Sequence, residues 1–591
     1  MRERRAFNTE VGHVVHGDVG RELAGRIAAA VETSQAVGCD PADVAIRVSG
    51  RPGVDYQSTI ALSLASEQGG DPQEIAAGIA AELDTADLLE PPEIGGPGFL
   101  NLVLRREWLE QRATALLEDA RIGVAPAERP RRIAIDYSSP NVAKQMHVGH
   151  LRSSIIGDAL ARMLRFAGHD VTPHNHLGDW GTPFGMLIEH LVEEGWTGSA
   201  SAGHTIVDLD GFYLEARKKF DADPDFALRA RRRVVLLQGG DEQSTAFWRL
   251  LVDESTRHFE QVYDLLGVGL TPDDSYGESF YHPYLAGVVR DLTVQGLTES
   301  SDGAICAFPA GFFNRDGERS PLIVRKRGGG YGYAITDLAT ARYWIDNRGA
   351  EELLYVVGNP QAQHFAMIFT LLREAGWLSE DQRAEHIGFG SILGDDGKTI
   401  RSRAGGSVKL IDLLREAVER AAALVAERGG LAGDDAAEVA RAVGIGAVKY
   451  ADLSGNRGKD YTFDWDRMLA MDGNTAVYLQ YANARIRSIL RKAAPPAGTP
   501  VVLADPAERR LMLKILQFPQ AFDRAVTERA PHRLCTYLYD TARAFSGFYE
   551  SCPILTAAPD LRDSRLVLVL LTSRVLTLGL SLLGIEAPER L

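Results

Sequence analysis

At 591 residues the chain is too long for a single hydrophobic core, and its 45% hydrophobic and 24% charged content is that of a folded, water-soluble protein of two to four domains. Its 64 basic against 80 acidic residues leave a net charge of −16, which excludes a global basic field toward polyanions but not local Lys/Arg patches. Four cysteines without a C-x-x-C pair indicate neither a zinc knuckle nor a disulfide framework and fit a reducing compartment.

In chain order, the opening stretch MRERRAFNTEVGHVVHG is basic but lacks an apolar core, so no signal peptide is expected. An alanine-rich helix is predicted over 19–33 and a strand over 99–104 (FLNLVL), entered by the turn GGPGF at 95–99. Residues 5–104 therefore read as a small α+β domain, and EDARIGVAPAERPRR, at 118–132, reads as a linker. From 128 to 405 strand and helix signals alternate. RIAIDY, DVTPHNH, LIVRKR, ELLYVVG and HIGFGSIL are the strand candidates, which predicts a Rossmann-like α/β parallel sheet, interrupted by a charged helical insertion over about 195–273. Residues 406–591 read as an all-helical bundle. The apolar stretch 566–585 carries Thr572, Ser573 and Arg574 and reads as packed helices rather than a membrane span.

Chemistry concentrates at 136–159, DYSSPNVAKQMHVGHLRSSIIGDA, where a strand hands over to a helix. In an open parallel sheet that is where ligands meet a helix N-terminus. His147 and His150 can hydrogen-bond phosphate oxygens there, and Gly149 lets a nucleotide approach the backbone. No G-x-x-x-x-G-K-[ST] occurs, so the site is not a P-loop. Much later, GDDGKTIRSRAGGSVKL at 394–410 places Lys398, Arg401 and Arg403 among small residues, a cationic flap suited to a pyrophosphate leaving group. Three basic runs, 217–219, 229–233 and 485–492, are best read singly as solvated helix faces. The last stands beside Tyr478 and Tyr481, so Arg485, Arg487 and Tyr481 are the candidates for touching RNA.

HVGH resembles the HIGH motif of class I aminoacyl-tRNA synthetases, and KTIRS stands where their KMSKS loop would. NHLGDWGTPFGMLIEHL, GGYGYAITDLA, KYADL, FDWDRMLAMDGNTAVYLQYANARIRSILRKA and LLGIEAPER are similar to arginyl-tRNA synthetases over essentially the whole chain. The resemblance implies activation of L-arginine by ATP, with Mg²⁺ accompanying the nucleotide, and transfer of the arginyl group to tRNA for arginine. It implies an arginine pocket of Asp136, Asn141, Tyr333, Asp337 and Gln361, with Asp337 as main guanidinium partner. It gives Lys144 part of the role of a lysine missing from the flap, and adds it to His147, Gly149, His150, Lys398 and Arg401 as the catalytic set. It makes residues 5–104 a tRNA-elbow module and 406–591 an anticodon-binding domain. A cytoplasmic monomer without membrane or structural-zinc partners is expected. Arg401 replaces a frequent lysine, and Asn483 a frequent histidine. A nucleotidyltransferase with a small acceptor and a non-catalytic tRNA-binding paralogue are the alternatives. The large helical C-terminus argues against the first, and intact His147, Gly149, His150, Asp337 and Gln361 against the second.

Overall fold

The computed structural model describes residues 18–196, 209–327, 329–400, 408–429 and 431–591. At its centre five parallel strands lie in the order Arg383–His386, Glu352–Tyr355, Arg132–Asp136, Asp170–Leu177, Ser275–Gly277. The two central strands are buried almost along their whole length, as expected of a parallel sheet covered on both faces. The chain enters at Arg132–Asp136, runs outward through two strands, then returns to the other side of the first. The order reverses between Arg132–Asp136 and Glu352–Tyr355, and a ligand crevice opens at the carboxyl ends of strands at such a switch point.

Two strand predictions need correction. LIVRKR forms the strand Leu322–Arg325, but in a separate three-stranded antiparallel sheet with Ala304–Ala307 and Thr298–Ser301. Its residues alternate buried and exposed, which marks a half-covered antiparallel strand rather than a doubly covered parallel one. HIGFGSIL is not one strand. Arg383–His386 ends the large sheet, and Ile392–Leu393 pairs with Tyr461–Thr462, tying the α/β region to the helical one.

Before the sheet, a four-stranded antiparallel sheet carries the helices Val19–Gln35, Ile60–Gln68 and Pro72–Glu82. Asp18 caps Val19–Gln35, and Leu23, Ile27 and Val31 form its buried stripe. The segment after helix Arg106–Glu118 is more than a linker. Arg574 donates to the carbonyls of Leu116 (3.0 Å), Leu117 (2.7 Å) and Asp119, and Arg509 pairs with Asp55 at 2.5 Å, so the N-terminal unit is fastened to the C-terminal helices.

The region beyond Leu410 is helical apart from Tyr461–Thr462 and short connections among the described residues. The stretch 566–585 lies mostly within a single helix, Pro559–Leu582, rather than several. By length and composition it is apolar enough to cross a membrane, but 72% of its most apolar window is buried inside the fold, against Ala476–Lys492, Pro531–Ser551 and neighbouring helices. Helix Leu151–Phe166, which follows HVGH, is joined to the helical region by a buried ion pair, Arg152–Asp452 at 3.2 Å.

Candidate active site

The loop after strand Arg132–Asp136 is held in a costly conformation. Ser138, Ser139 and Ala143 have φ of 72°, 50° and 62°, a left-handed region that costs non-glycine residues about 1–2 kcal/mol each. Its surroundings hold it there: Ser138 shares a 2.8 Å hydrogen bond with Tyr263, the Ser139 N–H donates to Asn175, and the Ala143 N–H donates to Ser255 at 2.8 Å.

The loop ends in the 3₁₀ turn Val148–His150, where the two histidines cap each other. The backbone N–H of Gly149 donates to His147 Nδ1 at 3.1 Å, and that of His147 donates to His150 Nδ1 at 3.2 Å. Where each Nδ1 accepts in this way, a neutral ring carries its proton on Nε2; His150 Nδ1 also stands 3.3 Å from the His147 carbonyl. The rings lie 4.1 Å apart, and His150 is pushed down to about 3 by burial, then by His147 and Lys144, so it stays neutral. Gly149 is required for a nearer reason than access of a nucleotide: a Cβ there would stand 2.7 Å from His147 Cε1. The turn is also stitched to the far end of the flap, through Val148 N–H to Val408 O (3.0 Å) and Leu410 N–H to Met146 O (2.9 Å).

Lys398 lies exposed in a tight hairpin, its carbonyl accepting from Gly394 N–H at 2.8 Å. Arg401 and the rest of 401–407 lie outside the described residues. Lys144 places its ammonium 4.3 Å from the ring centre of Tyr213, on the helical insertion. That contact, rather than open space, is what its side chain faces.

At the switch point a cleft of about 240 Å³ is lined by His176, Glu278, Tyr333, Thr336, Asp337, Gln361 and His364. Three of the five residues expected to bind arginine are therefore together. Asp337 is held by His364 Nε2 at 2.6 Å. Gln361 is exposed at the end of the turn Asn359–Gln361, and Tyr333 is 79% exposed at the start of helix Tyr333–Asp346, at the rim rather than as a buried wall.

The other two are placed differently. Asp136 is buried and does not line the cleft: Ser139 Oγ donates to it at 2.7 Å and His174 Nδ1 lies 3.3 Å away. Burial opposes its charge, but His174, His176 and Ser139 outweigh that and hold it below the usual carboxylate range. Asn141 is exposed, on a loop bridged to the end of strand Asp170–Leu177 through Val142 N–H to Gly178 O (3.1 Å); a Cβ on Gly178 would meet the Asn141 amide oxygen at 2.5 Å.

Glu278, His364 and His176 were not singled out from the sequence. Glu278 is the first residue of helix Glu278–Val294, and burial, then the charges of Asp179 and Asp337, push its carboxyl up to about 7. Nothing in YGESF announces this; the QAQHF spacing, with Gln361 and His364 three apart in one helical turn, was a usable signal.

Asp136, His174 and His176 bring one potential metal-ligand atom each within 4.8 Å of one another. The Tyr281 hydroxyl accepts from Trp344 Nε1 (3.1 Å) and shares a 3.0 Å hydrogen bond with His174 Nε2, while His174 Nδ1 faces Asp136. With its two nitrogens so engaged, His174 orients the Asp136 carboxylate.

In the helical region, Tyr481 and Arg485 are exposed, the Arg485 guanidinium lying 4.0 Å from the ring centre of Tyr549. Arg487 is engaged in a surface ion pair with Glu589 at 3.3 Å. The other basic runs are engaged too: Arg229 and Arg233 both pair with Glu189, and Lys219 with Glu193 and Glu194.

Residues 111–465 match the family described as class I (R) tRNA synthetases, catalytic domain; residues 479–591 match the DALR anticodon binding domain, and 21–104 the arginyl-tRNA synthetase N-terminal domain. The chain is 50% identical over 542 residues to the arginine–tRNA ligase of Thermobifida fusca, covering 91% of this chain and 94% of that one. It is 50% identical over 571 residues to that of Frankia casuarinae, covering 94% and 96%. Among solved structures, the Plasmodium falciparum arginyl-tRNA synthetase is similar at a TM-score of 0.84 and 28% identity, over 98% of this chain and all of that one. The Thermus thermophilus enzyme matches at 0.79 and 27%, over 97% and 100%.

Proposed function

This chain belongs to the arginyl-tRNA synthetases of class I, and from that premise we propose that it activates L-arginine with ATP and transfers the arginyl group to the 3′-terminal ribose of tRNA for arginine, releasing pyrophosphate and AMP. The observation that carries this reading is the cleft at the switch point, where Glu278 and Asp337 face one space, with the paired imidazoles of the HVGH turn following the strand that ends there. Two carboxylates suit a planar five-donor guanidinium, and Asp337 keeps one oxygen for it while His364 holds the other. Gln361, Tyr333 and Asn141 orient the α-amino and α-carboxyl end at the rim, and Asp136 acts from beneath.

In the first step an arginine carboxylate oxygen attacks the α-phosphorus in line, and the bond to the bridging oxygen of pyrophosphate breaks. The Nε2–H groups of His147 and His150 stabilise charge on the α-phosphate. Lys144, Lys398 and Arg401 neutralise the departing pyrophosphate. The groups gathered here are imidazoles and cations, so Mg²⁺ would be held by the nucleotide's own phosphate oxygens and supply further charge neutralisation. In the second step a ribose hydroxyl of tRNA attacks the arginyl carbonyl and AMP leaves. Tyr481 and Arg485 belong to the tRNA-binding face, and Arg487 supports it through Glu589. The enzyme works as a cytoplasmic monomer.

The test is charging of unfractionated tRNA with labelled amino acids, and ATP–pyrophosphate exchange with and without tRNA for arginine. Exchange is expected to be weak with arginine alone and to rise when tRNA is added. Efficient charging with another amino acid and none with arginine overturns the reading.

A further inference from the structure

We propose that Tyr213, on the helical insertion, is a positioning residue for catalysis: its ring holds the Lys144 ammonium at the phosphate side of the cleft until the nucleotide takes it over. The inference rests on the reading of Lys144 as a pyrophosphate-neutralising group.

Two helices of the insertion region grip the loop that carries Lys144, and a third braces them. Helix Leu209–Ala222 supplies Tyr213, while helix Glu242–Leu266 supplies Ser255, which accepts the Ala143 N–H, and Tyr263, which bonds Ser138. Helix Pro224–Gln238 supplies the mounting: its Arg229 and Arg233 both reach Glu189 of helix Thr182–Glu193, at 2.8 and 3.2 Å. Beside Tyr213, Phe212 stacks on His190 at 4.8 Å, and Lys219 donates to the same imidazole at 3.0 Å. The cationic runs of the insertion are thus used internally, to fix the helix from which Tyr213 reaches the loop.

The contact has the strength such a role needs. Lysine is a point charge on a four-carbon stem with much rotamer freedom. A carboxylate would hold the ammonium against a triphosphate, whereas a ring face attracts it weakly enough to give it up to phosphate oxygens. In this position the lysine charge is also felt at His150.

The experiment measures tRNA-stimulated ATP–pyrophosphate exchange, with separate kcat and arginine KM, for Tyr213→Phe, Tyr213→Leu, Lys144→Ala and the Tyr213→Leu/Lys144→Ala double variant of the full-length chain. Tyr213→Leu is expected to lower kcat about 3- to 20-fold with arginine KM unchanged, the range that loss of a cation–π contact gives. Tyr213→Phe keeps the ring face and should stay within about twofold of wild type. In the Lys144→Ala background the leucine substitution should add nothing. If Lys144→Ala alone leaves the rate untouched, the reading of Lys144 falls and this inference with it. If Lys144→Ala is slow but Tyr213→Leu is not, or if the two losses multiply, that reading stands and Tyr213 is merely structural.

Discussion

His147, Gly149 and His150 occupy one turn and fix one another, whereas Glu278, Asp337 and the pair Gln361 and His364 come from the starts of three helices and meet only in the cleft. The first is a local wall: its rings are set by backbone N–H groups two and three residues away. The second is assembled: the environment of Glu278 is made by Asp179 and Asp337, distant in sequence. A local wall carries its geometry in itself, and an assembled wall takes both geometry and electrostatics from the fold.

The comparison breaks if the walls do not separate in kinetics. Asp337→Asn and Glu278→Gln should each lower kcat/KM for arginine by roughly 30- to several-thousand-fold, the cost of leaving a guanidinium without a charged partner. KM for ATP should stay within about twofold, since neither residue faces phosphate. A parallel rise in ATP KM would make the cleft a single unit. In the local wall the corresponding change is Gly149→Ala, whose methyl collides with His147. It should lower kcat for adenylate formation about 10- to 100-fold, short of the ~10²–10³-fold that outright loss of such a donor costs, and leave arginine KM alone. Near-normal kcat would mean the His147 ring can move without consequence.

The same division explains what could be read from the sequence. The H-x-G-H turn, the strand before it and the helix after it are contiguous, so 136–159 announces a site directly, and even the seating of its histidine rings comes from local hydrogen bonds. Glu278 is a single acid after a glycine, and its character depends on a neighbour in another helix. Asp136 was legible as a strand-end carboxylate, but its partner His174 lies on the adjacent strand, and that pairing keeps it out of the cleft. The strand Leu322–Arg325 was legible as a strand but not by sheet, since LIV is apolar throughout and its burial alternates only in the fold. The stitching of 408–410 to HVGH needed three dimensions.

The electrostatics of the assembled wall give a pH test. The carboxyl of Glu278 is raised to about 7, so it is protonated below that pH and ionised above it. A guanidinium binds the ionised form, and arginine KM should therefore rise as pH falls through 7, approaching about tenfold per pH unit. Asp179, Asp337, His176 and His364 also face or feel this space, so the control is Glu278→Gln, whose arginine KM should be high and nearly flat over the same range. A Glu278→Gln profile that keeps the wild-type step would assign it to one of those neighbours.

The smallest effect separates charge from geometry within the assembled wall. His364 gives the guanidinium no charge to bind; it holds one oxygen of Asp337 at 2.6 Å and so turns the other toward the cleft. His364→Ala should leave the carboxylate in place but free to rotate, raising arginine KM about 3- to 10-fold, the scale of one net hydrogen bond. His364→Gln has an amide N–H of similar reach and should recover most of that loss. Asp337→Asn removes charge as well as fit and must cost far more, and the ratio of the two losses measures how much of this wall works by position alone. If His364→Ala is as damaging as Asp337→Asn, the imidazole itself touches the substrate, and the wall has three recognising groups rather than two carboxylates and a support.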